Sequence, residues 1–541
     1  MHKAFSQATL SSSNHENALK HGIMEAKKGL VVVVTESNQG LVVVESQGVA
    51  FSITNPKDLH KIETGTYPVP VGEEIFSSHL LSPLLTAALQ DALLAVKQVF
   101  ADYGVTDYAT YGGQSFFEAD NADFVRDQLF NRTGMWVHKL TVPEEAYHRT
   151  SAVMQNFPHF DKLSQDGTVL VNVGGGTVEL IAFNNGTFSF ARNLNLGPLR
   201  VFEDLKDVQR SADNYVDILR EFIDSRLLDF LRLLPQKHDY KHMILMGSAL
   251  RLVNPMWPKL DNRRLKRNDF RGIVREVSRA SDQYLSSMYG IDPDVVSQVL
   301  PTMTLLNQLV RKLDPDAIWI SSLRLIDGLE VNQAIENGSH AVKFDPTEET
   351  VASALTLSNW YHVDEKHRDT TVTFALQLFD RLRKLHQLGK RERLLLETAA
   401  LITDIGSYID THSHAKNSEY IINSSDIMGL SSRELTIVAT IARYHTSATP
   451  QLDMSALKTF RGGDRLIVAK LSAILRVADS LDTSRRQKID NISVSMRGNQ
   501  VTITANTHEN LELEKWTLGQ KGRFFEAVFG MPVRLKGRNT Q

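Results

Sequence analysis

Asn172-Val173-Gly174-Gly175-Gly176-Thr177-Val178-Glu179-Leu180 is the stretch whose reading decides the fold. Residues 168–173 before the glycines read as a buried strand, and residues 178–183 after them read as a second. Asn185-Gly186 then turns the chain into a third run at 187–190, the strongest short hairpin signal in the sequence. Glycine has no Cβ, so three in a row at a strand end leave backbone N–H groups open to a close anion. Taken alone, the motif leaves two readings open, a phosphate cradle and a plain hairpin turn.

Outward from this centre the same plan recurs. Leu30-Val31-Val32-Val33-Val34 reads as a buried strand, residues 35–40 as a polar turn and residues 41–45 as another strand. Two strand–turn–strand units separated by helical sequence predict a duplicated α/β architecture. Between them, Ser82 and Pro83 open a helix with an apolar stripe at Leu85, Leu89, Ala92, Val96 and Val99. Beyond about Pro346 the pattern is helical, with Val372, Ala375, Leu376, Phe379 and Leu382 on one face and Gly389 placed to close that helix. Ser431 and Glu434 form a capping box for the helix that leads to His445. Ile492, Val494 and Met496 then alternate, Gly498-Asn499 turns, and Val501, Ile503 and Ala505 alternate back, which predicts a small β-containing terminal domain.

At 541 residues the chain is too long for one ordinary core, so several domains are expected. A net charge of −3 gives no global attraction to nucleic acid or to a membrane, so any polyanion site must be local. The absence of cysteine excludes disulfides, thiolate zinc sites and cysteine nucleophiles. Residues 1–28 are polar, with Ser11-Ser12-Ser13-Asn14 among them, and lack the apolar core of a secretory signal. Aliphatic runs such as 30–34 are too short to span a bilayer, and a cytoplasmic location is expected.

The decisive stretch resembles D-I-G-G-G-S-T-E-L, a signature of the exopolyphosphatase/guanosine-pentaphosphatase (Ppx/GppA) family. Further matches follow in order: Glu144-Glu145-Ala146 resembles G-x-E-E-A-R, and residues 194–200 resemble L-x-L-G-x-x-R. Met246-Gly247-Ser248-Ala249 falls where the family has another glycine loop. Ser424, Asp426, Met428 and Gly429 resemble N-S-D-x-x-G, and Ala442-Arg443-Tyr444-His445 resembles x-R-Y-H. The likeness runs from about residue 30 to 536.

The resemblance implies two actin-like (ribonuclease H-like) α/β lobes, at 30–147 and 148–340, after a polar extension at 1–29. An all-α HD-like domain at 341–487 and a small α+β domain at 488–541 would follow. It implies release of terminal phosphate from inorganic polyphosphate or guanosine pentaphosphate, assisted by magnesium or another divalent cation, with guanosine tetraphosphate as a further ligand, in a protein whose relatives are commonly dimers. No nucleic acid or membrane partner is implied. Glu145 aligns with the carboxylate that activates water, and Glu179 with a metal-binding acid. Ser37, Asn38, Gly174, Gly175, Gly176, Thr177, Gly247 and Ser248 would hold phosphate. Without the resemblance, Glu144 and Glu145 read as solvating a helix terminus, Glu179 as an edge-strand acid and Gly247-Ser248 as a strand-to-helix turn.

The departures fall on the chemistry. Aligned on D-I-G-S-N-S, the first loop reads Val34-Thr35-Glu36-Ser37-Asn38-Gln39, with no aspartate. The arginine of A-T-S-A-x-R is Phe117, which removes a bidentate phosphate contact. Asn172 replaces the aspartate before the glycines. In the HD-like region His367, Asp404 and Asp479 occupy metal-ligand places, but Thr403 stands where the middle histidine belongs; His414 and His445 remain as further ligands. These losses favour reduced hydrolysis or, as the alternative, an inactive polyphosphate or alarmone sensor. An HD-type hydrolase and a sugar-kinase-like activity are weaker readings.

Overall fold

The computed structural model describes residues 38–212, 214–232, 240–260, 263–338, 346–446, 460 and 462–538. The chain forms two compact units: one runs through Lys139 and regains the segment from Leu329, and the other starts at Leu140 and takes in the remaining chain.

The first unit holds β1 (Gln39–Glu45), β2 (Gly48–Thr54), β3 (Lys61–Pro68), β4 (Asp107–Gly112) and β5 (Val137–Lys139), in the order β3-β2-β1-β4-β5. The β1-β2-β3 meander is antiparallel, whereas β1, β4 and β5 run parallel. The helix Pro83–Asp102 starts as expected: Ser82 Oγ accepts from the Leu85 N–H at 3.1 Å, and proline takes the first turn. By length and composition this helix could cross a membrane, but Leu85, Leu89, Leu93, Val96 and Phe100 lie buried in the core with Val42, Val44 and Ile53. Full burial of a side chain of this size contributes about 1.5–3 kcal/mol, enough to explain the apolar face without a bilayer.

The strand expected at 30–34 and Ser37 lie outside the described residues, and Asn38 directly precedes β1. Gln39 and Gly40, expected to end the polar turn at 35–40, are already in β1, and the turn between β1 and β2 is Ser46-Gln47. Its carbonyls are taken up by the next helix entry, Gly72 N–H on Ser46 O at 2.8 Å and Val69 N–H on Gln47 O at 3.3 Å. The second apolar run, 41–44, lies in β1 as expected.

The second unit carries β6 (Thr168–Val173), β7 (Val178–Asn184), β8 (Thr187–Leu194), β9 (His242–Met246), β10 (Arg264–Leu265) and β11 (Ala317–Ile320), in the order β10-β11-β9-β6-β7-β8. An antiparallel meander joined to parallel strands repeats the plan of the first sheet, as the duplicated α/β expectation required. Asn185 and Gly186 both adopt positive φ in the tight β7–β8 turn. The helix Val142–Asn156 belongs to this unit, although the first lobe was expected to reach residue 147. Its Ala146 and Val153, with Phe157 just past its end, pack with Leu170, Ile181 and Phe183 of the second sheet.

Helices Pro346–Trp360, Glu365–Arg381, Lys390–Ile402, His414–Asn423, Ser432–Arg443 and Gly462–Ser480 surround one apolar core. Gly389 does not close the helix Glu365–Arg381, as was expected; it N-caps Lys390–Ile402, where Glu392 accepts its N–H at 2.7 Å. A left-handed Gln387 stops the preceding short turn instead. The Ser431–Glu434 capping box is present. β12 (Asn491–Arg497) and β13 (Gln500–Asn506) form the expected hairpin, and β14 (Val533–Arg538) joins β13 in parallel through the helix Glu512–Phe529. Val501, Ile503, Leu518 and Phe525 share the helices' core, so this last sheet is packed onto them.

Candidate active site

The loop between β6 and β7 turns its carbonyls to one side. Gly176 O accepts from the Gly197 N–H at 3.1 Å and from Arg200 Nε at 3.0 Å; Gly175 O accepts from the Leu199 and Arg200 N–H groups at 3.0 and 3.2 Å. Gly174 N–H closes the turn onto Thr177 O at 2.9 Å. Among the described residues no protein acceptor takes up the N–H groups of Gly175, Gly176 and Thr177. Three amides whose carbonyls are directed away form a nest suited to an anion. Gly197 makes this possible by close approach: a Cβ there would lie 2.3 Å from Gly175 O and 2.4 Å from Thr177 N.

Beside the nest, the register aligns Asn172 on β6, Glu179 on β7 and Asn193 on β8 across one face of the sheet. Asn172 Nδ2 lies 3.4 Å from Glu179 Oε2, and Asn193 Oδ1 is buried without a hydrogen-bond partner. The helix Val142–Asn156 delivers Glu145, which is 7% exposed. Arg149, one turn further on, reaches Glu145 Oε2 at 2.5 Å and Glu179 Oε2 at 3.5 Å, so its guanidinium bridges both acids. Burial raises the Glu179 pKa to about 7; Arg149 opposes the shift, while Glu145 and Asp426 add to it. Asp426, from the helical region, is itself raised by burial against the opposing charge of Arg192. Arg192 stacks over the Trp360 ring at 4.5 Å.

The two adjacent glutamates divide their work. Glu144 Oε2 accepts from Thr141 N–H at 2.8 Å and Thr141 Oγ1 at 2.7 Å, which makes it the capping residue. Glu144→Ala is expected to lower stability by about 1 kcal/mol and leave anion binding unchanged; urea unfolding with a parallel binding titration checks both.

Gly247, at φ 112°, caps the helix Ser248–Val253 and lies against Asn172 and Val173. Phe117, where the resemblance calls for arginine, packs edge-on against Phe116 and lies under Lys139 Nζ and the Arg126 guanidinium. The basic run at 263–267 is drawn into local contacts, Arg263 over Phe157, Arg264 over Trp319 and Arg267 on Asp314.

Sequence reasoning missed Arg149, Arg192 and Asn193. For Arg149 a signal existed, its i,i+4 spacing from Glu145. The oxygen donors of Glu179, Glu145 and Asn193 suit a hard divalent cation, and the orphaned Asn193 Oδ1 is the observation that favours one. Arg149 is the resident competitor for that place.

In the helical region the structure brings His367, Asp404 and Asp479 together. His367 Nε2 lies 3.4 Å from Asp479 Oδ1 and 4.0 Å from Asp404 Oδ2, while its Nδ1 meets Asp482 at 2.9 Å. Two cations already serve these acids: Lys521 Nζ pairs with Asp479, and Arg485 Nη2 sits 2.6 Å from Asp404 Oδ2. Burial works to lower the His367 pKa, but Asp479 and Asp482 hold it up at about 9.

Residues 59–336 match the model of the Ppx/GppA phosphatase family, and residues 350–522 match its domain III. The chain therefore belongs to the Ppx/GppA phosphatase family. It is similar to a guanosine-5'-triphosphate,3'-diphosphate pyrophosphatase of Vibrio vulnificus, at 21% identity over 62% of this chain and 65% of the relative. The match thus spans just under two thirds of that relative's length. Among solved structures it is similar to an exopolyphosphatase from Cytophaga hutchinsonii, with TM-score 0.49 and 14% identity over 57% of this chain and 100% of the other. A Ppx/GppA family member from Aquifex aeolicus gives 0.44 and 14% over 56% and 98%.

Proposed function

We propose that this chain is a cytoplasmic exopolyphosphatase-like hydrolase that releases terminal phosphate, slowly, from inorganic polyphosphate or a guanosine pentaphosphate. The observation that carries the reading is the set of open N–H groups at Gly175, Gly176 and Thr177 beside the buried Glu145–Glu179 pair. The nest would take a terminal phosphate through the Gly175, Gly176 and Thr177 amides and the Thr177 hydroxyl, with Gly174 closing the turn beneath and Gly247 and Ser248 bordering it. Glu145 would orient and deprotonate the attacking water, a role that needs a carboxylate free of its counter-ion at that moment. Glu179 and Asn193 would hold magnesium or a similar cation, which when bound supplies neutralising charge for the phosphate oxygens.

Slow turnover follows from the same residues. Arg149 holds Glu145 in an ion pair and competes with a water for the same carboxylate oxygen. Asn172 is a neutral amide where the family signature has aspartate, and Phe117 brings no guanidinium. Each lost charge contact costs transition-state stabilisation on the order of a few kcal/mol. The second reading, a polyphosphate or alarmone sensor, is favoured by that same Arg149 clamp.

The test is phosphate release from long-chain polyphosphate with magnesium, wild type against Glu145→Ala. Release should fall by about 100-fold in the variant, with polyphosphate binding retained. Tight binding without release by the wild type would select the sensor.

A further inference from the structure

His414 and His445 converge on Asp404 from the side opposite His367. Their Nε2 atoms are 3.3 Å apart, and Asp404 Oδ1 lies 3.4 Å from His445 Nε2 and 4.0 Å from His414 Nε2. Each imidazole is turned by its other nitrogen. His414 Nδ1 meets Thr411 O at 2.9 Å, and His445 Nδ1 meets Ala442 O at 2.5 Å. A backbone carbonyl accepts only, so each Nδ1 donates, and each ring turns its Nε2 towards the other and towards Asp404 Oδ1. Two ring nitrogens and one carboxylate oxygen thus lie within 4.8 Å of one another, close enough to share a single ion.

We infer that Asp404, His414 and His445 form a binding site for a single divalent transition-metal ion, distinct from the phosphate site. The spacing fits: two nitrogens bound at about 2.0–2.1 Å around a tetrahedral ion lie roughly 3.3 Å apart. Two imidazoles and one carboxylate are the donor mixture that suits zinc, manganese, cobalt or iron better than calcium or magnesium. The chain is shaped to bring them together. Gly406 touches the His414 turn so closely that a Cβ would stand 2.1 Å from His414 O, and Ser418 Oγ links Gly406 N–H to Thr403 O. Arg485 holds the other Asp404 oxygen and so aims Oδ1 at the histidines. His414 keeps a quarter of its side chain exposed, which gives an ion a way in and leaves a coordination position for water. The set that the sequence suggested, His367 with Asp404 and Asp479, is closed to an ion by Lys521 and Arg485; the site lies on the other side of Asp404.

The experiment is a cobalt titration of the chelator-treated full chain, followed by visible absorption and calorimetry. One equivalent with a nitrogen-ligated spectrum is expected. His414→Ala, a partly exposed position, and His445→Gln should each weaken binding by about 100-fold, with circular dichroism confirming the fold. Glu179→Gln should keep the signal, which separates this site from any ion beside the glycine nest. Absence of a nitrogen-ligated spectrum in the folded wild type, or its survival in His414→Ala, would overturn the inference. Loss of the spectrum in Glu179→Gln with retention in His414→Ala would place the ion elsewhere and overturn it equally. None of these outcomes depends on hydrolytic activity.

Discussion

Arg149→Met is expected to destabilise the folded protein by about 3–5 kcal/mol near pH 8, the usual cost of leaving buried charge without its partner. Glu145 and Glu179 are both buried and share this guanidinium. Without it two carboxylates face one another in a dry site, with Asp426 adding to the field at Glu179. The pH dependence has a definite sign. The folded pKa of Glu179, about 7, lies above its ordinary value, so in between the folded state keeps a proton that the unfolded state has released. Stability from this group therefore falls as pH rises through that window. Removing Arg149 removes an interaction that lowers this pKa, so the variant should lose more than the wild type at high pH and recover near pH 5. The double variant Arg149→Met/Glu179→Gln should regain most of the loss. Urea unfolding at the two pH values reads all of this; an equal deficit at both would contradict it.

Gly197→Ala should have a comparably large effect on ligand binding. Its new Cβ would sit within 2.4 Å of Gly175 O, Gly176 C and Thr177 N, all backbone atoms that cannot rotate aside. The glycine loop must move, and with it the three amides that define the nest. Overpacking of this kind costs about 1–3 kcal/mol of stability. Polyphosphate affinity should drop by on the order of 100-fold, because amide contacts to an anion depend on position. Equilibrium binding compared with wild type decides the matter. Unchanged affinity in a folded Gly197→Ala variant would mean that phosphate is bound elsewhere.

What was legible in the sequence was local. The β6–β7–β8 meander, the Ser82-Pro83 helix start, the Ser431–Glu434 box and the 492–505 hairpin all rest on turn chemistry or short periodicity, which act within a few residues. β3 escaped because Lys61–Pro68 is a half-exposed edge strand with a central glycine and little apolar content. β14 escaped because it pairs in parallel across an intervening helix. The site divides the same way. The glycine loop and Glu145 were readable as residue types in order. Arg149 bridging two acids, and Lys521 reaching Asp479 from 42 residues away, are products of packing that no window along the chain contains. The turn expected to run on through Gly40 ends earlier for a related reason, since the start of β1 at Gln39 is set by its pairing with β2 and β4.

The carbonyls of Gly175 and Gly176 find all their backbone donors in the segment that immediately follows, at Gly197, Leu199 and Arg200. The cradle is thus a structure of low contact order, able to form from one short stretch of nascent chain before the helical region has been synthesised. One acidic neighbour joins later, since Asp426 arrives from far downstream of Glu145 and Glu179. The hydrogen bonds that shape the turn lie within the chain up to Arg200, ahead of Asp426 in sequence.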